Sequence, residues 1–386
     1  MGAGCYNRNA DVRDHPSVGA ARESMSRQGS VVCGYYGFAN AGDEAVLAGL
    51  VHGLRAAGYT EPLSVLSADT AYTEREHGVS AITRTHLQAV WRALRRHRVL
   101  VLGGGSLLQD VTSARSIVYY LGMHALARRA RCRVAWIGQG IGPLRRGWAR
   151  RWTARAGTDA DVVVVRDPTS AELLRALGVP QVQIGADLSF LLPPADIEHG
   201  WQVLQEVGIG RDSALMALAP RRWGKARTEV GTLFADLVRF AWHEWGVRTI
   251  LLPLHAGQDR EAVQQVSARA PDAIALLKPM SVRDVQSVLA CCQVVIGVRL
   301  HALMLSASSG VPALAVSYDP KVRAFWEQVA PEHVVDMQDA GAQILKERLA
   351  EIWQQRQALR VRVTEFAMEQ RRLAQRNIEA LLALGM

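Results

Sequence analysis

The stretch VVIGVRLHALMLSASSGVPALAVSYDPK, residues 294–321, contains a complete strand–helix–strand unit. Residues 294–296 are short, apolar and β-branched, which is typical of a buried strand. Residues 300–309 form a helical pattern that Gly310 ends, and residues 312–316 are a second apolar run. Strands joined by a helix in this way lie parallel in one sheet that is covered on both faces. This stretch therefore predicts an α/β fold.

The same alternation of short apolar runs and amphipathic segments extends on both sides of this unit. It forms two series that meet near residues 191–200, and this indicates two Rossmann-type domains with parallel sheets facing a central cleft. The strongly helical end either packs back across both domains or forms a simple hairpin. The predicted divisions are a mobile tail at 1–28, an N-terminal domain at 29–192, a C-terminal domain at 193–335 and C-terminal helices at 336–386.

The composition excludes several classes of protein. The 386 residues carry a net charge of +9 and contain four lysines, so nearly all the cations are arginines. We find no apolar run long enough to span a membrane, no secretory signal and no repeated CxxC spacing, and we therefore expect a cytoplasmic protein. The arginine-rich runs at 92–98 and 128–133 lack interleaved aromatics, so we expect solvated helix faces rather than nucleic-acid binding.

Ligands of parallel sheets bind where strands end, and two glycine-rich segments stand at such positions. In the segment 34–44, Asn40 or Asp43 caps the next helix, and Asp43 is either a ligand contact or only a structural cap. Residues 103–106, GGGS, follow the strand 99–102 and are expected to present backbone N–H groups to an anion at a helix start. They lack the Lys-Ser/Thr of a P-loop, which argues against nucleoside-triphosphate hydrolysis.

Three further strand ends carry charged residues. Residues 138–146 place Arg145 and Arg146 after three glycines, which suits an anionic ligand, although both could simply begin a solvated basic face. Arg299 and His301 share the first turn of a helix, which favours a neutral imidazole, whereas an adjacent anionic substrate would favour the protonated ring, so the pattern leaves both directions of the pKa shift open. Lys321 follows the next strand and is either a phosphate partner or an ordinary surface lysine.

Together these segments resemble the polysaccharide pyruvyltransferase family, in particular its CsaB-type bacterial cell-wall members. The similarity covers residues 31–325, and no single segment would be specific alone. The segments that carry it are the loop 34–44, LGGGSLLQD in the run 101–110, IGQGIGP at 137–143, GADLSF at 185–190 and GVRLHA at 297–302.

The resemblance implies a GT-B-like fold and transfer of an enolpyruvyl unit from phosphoenolpyruvate to two hydroxyls of a sugar, giving a ketal. For the CsaB type, the acceptor would be the 4- and 6-hydroxyls of β-N-acetylmannosamine in a lipid-linked polymer precursor, whose pyruvylated product anchors S-layer proteins. It implies His301 and Arg299 as catalytic residues. Donor contacts would come from Arg145 or Arg146, Arg299, Leu300 and Lys321, and acceptor or loop contacts from Tyr36, Asn40, Asp43, Gly104, Gly105, Ser106 and Gln139.

The expected chemistry is compatible with these residues. A donor with a phosphate and a carboxylate needs two or three cations, and ketal formation needs general acid–base catalysis. Asp43, Glu44 and Asp110 are candidates to protonate the methylene carbon. We expect no metal and no cofactor. The alternatives are a GT-B glycosyltransferase that uses a nucleotide sugar and a non-enzymatic protein that binds anions or nucleic acid. The surplus arginines are expected to favour an anionic membrane surface.

Overall fold

The computed structural model describes Met1 and residues 27–111, 113–221 and 227–385. Two parallel sheets, each with helices on both faces, make up this part of the chain, and the predicted α/β class is confirmed. The predicted mobile tail at 1–28 lies almost wholly outside the described residues.

The first sheet has seven strands in the order β3-β2-β1-β4-β5-β6-β7. Its strands are apolar and β-branched where they are buried, as in the VVVV run of β6. The elements of this half are β1 (Ser30–Tyr36), α1 (Ala41–Ala56), β2 (Leu63–Ser67), α2 (Thr70–His77), β3 (Ser80–Thr83), α3 (Leu87–Arg96), β4 (Val99–Leu108), α4 (Ala114–Arg129), β5 (Arg133–Ile141), α5 (Gly147–Asp159), β6 (Val162–Val165), α6 (Pro168–Ala176) and β7 (Gln183–Ile184).

The second sheet has six strands in the order β10-β9-β8-β11-β12-β13. The strand–helix–strand unit predicted from residues 294–316 forms its centre, with strand and helix limits within about one residue of those expected. The elements are α7 (Ile197–Gln205), β8 (Leu215–Ala219), α8 (Arg227–Trp245), β9 (Arg248–Leu251), α9 (Ala256–Arg269), β10 (Ile274–Ala275), α10 (Val282–Ala290), β11 (Val294–Gly297), α11 (Leu300–Ser308), β12 (Ala313–Ser317), α12 (Pro320–Trp326), β13 (Val334–Asp336) and α13 (Ala342–Leu382), with 3₁₀ turns at Leu188–Leu191 and Pro331–His333.

The prediction that residues 103–106 form a loop at a helix start is wrong. These residues lie inside β4, which continues to Leu108, and α4 begins only at Ala114. Gly104 and Gly105 have φ values of +78° and +76°, so the strand bends and shifts register while it stays paired to β5. Only glycine adopts this backbone without strain, and it lets both strands extend past their apolar runs.

A single long helix, α13, crosses both halves of the molecule. Leu345 and Leu349 near its start are buried in the core of the second sheet. Near its end, Asn377 accepts a hydrogen bond from the backbone N–H of Gly138 at 2.8 Å and donates one to the carbonyl of Ala186 at 3.1 Å. The helix therefore fixes the two sheets relative to each other. Among the described residues, no helix has the length and apolar character needed to cross a membrane.

Candidate active site

The two sheets meet at the start of α1. The backbone N–H of Ala41 donates to Leu254 O at 2.7 Å, and that of Ala256 donates to Ala39 O at 3.1 Å. His301, in the first turn of α11, packs against Gly42, where a Cβ would lie only 2.2 Å from its Nδ1 atom. Glycine at position 42 is therefore required for this imidazole to reach the N-terminal half.

His301 lies beside a buried carboxylate that sequence reasoning did not select. Its Nε2 atom is 3.8 Å from Oδ2 of Asp187, and the same oxygen accepts a hydrogen bond from Arg166 Nη1 at 2.9 Å. Burial alone would raise the pKa of Asp187, but His301 and Arg166 together hold it well below its ordinary value. Asp187 is therefore ionised, and it can orient and stabilise a protonated His301.

Asp43 is a second carboxylate near His301, with the opposite shift. Its Oδ1 atom is 3.1 Å from the position of a Cβ on Gly105, so it faces the bend in β4. Burial raises the pKa of Asp43 to about 6; the charge of His301 opposes the rise and two neighbouring carboxylates support it. Asp43 can therefore carry a proton near neutral pH, as a general acid must.

Two cations from different halves converge on one hydroxyl. Arg166 Nη2 and Lys321 Nζ donate to Ser106 Oγ at 3.0 Å and 3.2 Å, and Lys321 also donates to the carbonyl of Gly142. No carboxylate within the described ranges forms an ion pair with the Lys321 ammonium. Burial, and then the charge of Arg166, lower the pKa of Lys321 to about 8. Asp319 and Asp167 partly offset this shift without forming an ion pair with the ammonium, and a partly buried cation of this kind favours binding of an anion.

A cavity of about 710 Å³ opens beside these groups. Asp187, Arg166, Lys321 and Leu300 line it together with the carboxylates Asp167 and Asp319, and the rest of the wall comes from β5, α6, β7, α11, α12 and α13. Its size is within the range of about 300–1,000 Å³ that small-molecule sites occupy. The structure therefore places predicted residues Leu300 and Lys321 at one concave site, with His301 next to it.

Arg299 lies apart from the cavity lining. Its Nε and Nη2 atoms both donate to the carboxylate of Asp259 at 2.6 Å, and Nη2 also donates to Gln258 at 3.1 Å. Asp259 is fully buried and accepts a further bond from the backbone of His255. The guanidinium thus ties α9 to the start of α11, and through it supports the position of His301.

The side chains of Arg145 and Arg146 are exposed and do not line the cavity. Their backbone N–H groups instead donate to the two carboxylate oxygens of Asp110 at 2.8 Å and 2.7 Å. Although burial would raise the pKa of Asp110, these two bonds lower it, so this carboxyl does not hold a proton for catalysis. Its role in this geometry is to fix the turn after β5.

Five more of the predicted site residues make structural contacts in this geometry. Tyr36 is buried and its hydroxyl donates to the carbonyl of Gly103. Gln139 is fully buried and donates to the carbonyls of Leu102 and Gly104, while a Cβ on Gly104 would meet Val46 at 2.5 Å. Glu44 accepts a hydrogen bond from the backbone N–H of Gly37 and contacts the His77 imidazole. Asn40 caps α1 and donates a hydrogen bond to the Asp43 carboxylate.

Arg166 and Asp187 are the main residues that the sequence did not reveal in advance. A signal for Arg166 was present, since a charged residue follows a run of four valines, three of them buried, at the end of β6. Asp187 lies in the GADLSF segment, whose polar residue stands among apolar ones. Among the residues that the structure describes, no three His, Cys, Asp or Glu side chains converge as metal ligands.

Solved structures share this fold at low sequence identity. The chain is similar to UDP-GlcNAc 2-epimerase from Neisseria meningitidis, with a TM-score of 0.61, 11% identity and coverage of 92% of this chain and 99% of that one. It is also similar to a glycosyltransferase from Rickettsia africae, with a TM-score of 0.59, 7% identity and coverage of 92% and 98%. These likenesses confirm the GT-B-like fold and carry no information on substrate.

Sequence comparison is more specific. The chain is 24% identical over 276 residues to the amylovoran biosynthesis protein AmsJ of Erwinia amylovora, which covers 66% of this chain and 65% of that protein's length. The family model for polysaccharide pyruvyl transferase matches residues 40–320, a range that contains His301, Asp187, Arg166 and Asp43. The chain therefore belongs to the polysaccharide pyruvyl transferase family.

Proposed function

We propose that the protein transfers an enolpyruvyl unit from phosphoenolpyruvate to a saccharide diol and forms a cyclic ketal with release of phosphate. The observation that carries this proposal is the convergence of Arg166 and Lys321 on Ser106, at the edge of a cavity next to His301. A small dianionic or trianionic donor matches two cations placed in this way.

In this mechanism Asp43 and His301 divide the proton transfers. Asp43, with its pKa of about 6, gives a proton to the methylene carbon, which becomes the methyl group of the ketal. His301 accepts the proton of the first sugar hydroxyl as that oxygen bonds to C2, and Asp187 stabilises the imidazolium. The second hydroxyl then attacks C2 and the C2–O bond to phosphate breaks, so that the second proton leaves with phosphate.

The donor phosphate would lie against Lys321 and Arg166 in this proposal. Charge that develops on the leaving group is then met by two preorganised cations at the edge of the cavity. Leu300 would contact the carbon skeleton, since it is the cavity residue nearest in sequence to His301. Arg299 acts as a positioning residue through its paired bonds to Asp259.

The acceptor in this proposal is β-N-acetylmannosamine of a lipid-linked cell-wall precursor, ketalised at its 4- and 6-hydroxyls by a cytoplasmic enzyme. Support for it comes from the similarity to CsaB-type members, in which the pyruvylated polymer anchors S-layer proteins. The name of the Erwinia relative offers a different acceptor, a fragment of amylovoran. Both saccharides should therefore be tested as acceptors in the same assay.

The test is incubation of the purified protein with phosphoenolpyruvate and an aryl-linked β-N-acetylmannosaminide, with an amylovoran fragment in parallel. Mass spectrometry should show one added pyruvyl unit and a colorimetric assay an equal amount of phosphate. If neither acceptor is pyruvylated and a nucleotide sugar instead releases its nucleotide, the enzyme is a glycosyltransferase and the proposal is wrong.

A further inference from the structure

The outer face of the N-terminal domain is formed by α3, α4 and α5, which pack side by side on the sheet face away from the second domain. Each of these helices carries three arginines, and one acidic residue, Asp159, lies among all three. All nine arginines are exposed. They are Arg92, Arg95, Arg96, Arg115, Arg128, Arg129, Arg150, Arg151 and Arg155.

These cations are almost entirely without counter-charge. Arg128 pairs with Asp159 and Asp161, and within the described ranges none of the other eight forms an ion pair. In a chain whose exposed arginines elsewhere often pair with carboxylates, this face therefore has an unbalanced positive field.

Apolar side chains stand exposed among the same arginines. A shallow groove of about 560 Å³ runs between α3 and α4 and is lined by Leu87, Trp91, Val118 and their neighbours. Leu87 is 60% exposed and Val118 47%, and on α5 Trp152 is 53% exposed. Large apolar side chains at this level of exposure, set in a basic surface, point to an interaction surface.

The exposed apolar side chains lie at the end of the α3–α5 face that is nearer to the cleft. Each of the three helices follows a parallel strand, so its first turns stand at the carboxyl edge of the sheet. Leu87, Trp91, Val118 and Trp152 all lie within the first six residues of their helices. The exposed apolar band therefore borders the same edge of the sheet that carries Ser106 and Arg166.

We propose that this face, the α3–α5 surface, docks on an anionic lipid bilayer. Leu87, Trp91 and Val118 enter the interfacial layer, and the arginines contact lipid phosphates. Trp and Leu on one side of an arginine-rich surface are the combination that binds bilayer interfaces. A second copy of the chain is disfavoured as the occupant, because a symmetric contact would oppose unpaired cations to each other.

Docking in this way would hold the cavity beside the membrane surface, where a lipid-linked saccharide is within reach. The proposal goes beyond pyruvyl transfer and does not depend on it, since vesicle binding needs no donor or acceptor. Failure of the vesicle assay and failure of the acceptor assay are therefore separate results.

The test is co-sedimentation of the full chain with vesicles of phosphatidylglycerol and phosphatidylcholine, against pure phosphatidylcholine, at low salt. The wild type should bind the anionic vesicles and release them as salt rises. The triple variant Arg92→Gln, Arg95→Gln, Arg96→Gln should partition on the order of 100-fold less, at about 1 kcal/mol for each cation. The double variant Leu87→Glu, Trp91→Glu should lose on the order of 10-fold or more.

The matched control uses side chains of the same exposure outside the N-terminal domain, on α8 and α13. Trp242 is 37% exposed, like Trp91, and Val361 is 60% exposed, like Leu87, so Trp242→Glu, Val361→Glu should bind vesicles as the wild type does. Wild-type protein that stays in the supernatant with anionic vesicles would overturn the proposal. Equal losses of vesicle binding in the control and test variants would also overturn it. A lower molar mass of the Leu87→Glu, Trp91→Glu variant in light scattering would show that the face binds a second copy of the chain, and retention on duplex DNA without vesicle binding would show that it binds nucleic acid; either result would overturn the proposal.

Discussion

The carboxyl edges of the two sheets differ in whether the end of an apolar run in the sequence coincides with the end of the strand and so with the site. In the C-terminal sheet, β11 and β12 end where their apolar runs end, Leu300 and Lys321 line the cavity, and His301 lies next to it. In the N-terminal sheet, glycines carry β4 and β5 past their apolar runs. The N-terminal contribution to the site comes instead from Arg166 and Asp187. The end of an apolar run marks a site only where the strand ends with it.

The largest effect should come from the C-terminal edge. His301→Ala removes the proposed base, and kcat should fall by about 10²–10⁴-fold while the fold stays intact. Single-turnover phosphate release measures the loss, and circular dichroism checks the fold. His199→Ala is the matched control, since His199 pairs with Asp284 at 2.6 Å and does not line the cavity. Near-normal turnover in His301→Ala would show that another group is the base.

The next effect concerns Arg166 on the N-terminal edge. Arg166→Gln leaves buried Asp187 without its cation, so the free energy of unfolding should fall by about 3–5 kcal/mol. Arg166→Lys keeps the charge but loses the fork that spans Asp187 and Ser106; it should fold and raise the KM for phosphoenolpyruvate by roughly 10-fold. Urea unfolding and initial rates measure the two quantities. An unchanged KM in Arg166→Lys would restrict Arg166 to a structural role.

Substitution of Asp43 should change stability and activity in opposite directions. Its pKa is raised by burial to about 6, so the folded state binds a proton more tightly than the unfolded state does. Stability of the wild type should therefore fall as the pH rises from about 4 to about 6 and then level off. Asp43→Asn removes this penalty, so it should be roughly 1–3 kcal/mol more stable at pH 7 and much less active. A variant that is less stable at pH 7 would contradict the assigned environment.

The smallest effect should come from Tyr36, a predicted contact residue whose side chain is buried in the core. Tyr36→Phe loses the hydroxyl bond to the carbonyl of Gly103, and the free energy of unfolding should fall by about 1 kcal/mol. Its kcat and KM should match the wild type. A change in KM with unaltered stability would return Tyr36 to the binding site.

Local pattern explains which parts could be predicted. The runs that form β11 and β12, and the charged residues that follow them, are adjacent in sequence, so fold class and the positions of His301 and Lys321 could be inferred. The positive φ angles of Gly104 and Gly105 leave no periodic signal, and so the extension of β4 was missed. Arg166 becomes a site residue only by pairing with Asp187 beside an imidazole from the other sheet, which no local pattern encodes.

Binding of phosphoenolpyruvate tests the central claim, that cations from both sheets converge on the donor while the exposed arginines do not. Isothermal titration calorimetry would compare the wild type with Lys321→Ala and with the double variant Arg145→Ala, Arg146→Ala. The dissociation constant should rise by roughly 10–100-fold for Lys321→Ala, the loss of one charge-assisted contact, and stay unchanged for the arginine pair. Weakened binding in the arginine pair, with wild-type affinity in Lys321→Ala, would contradict the account.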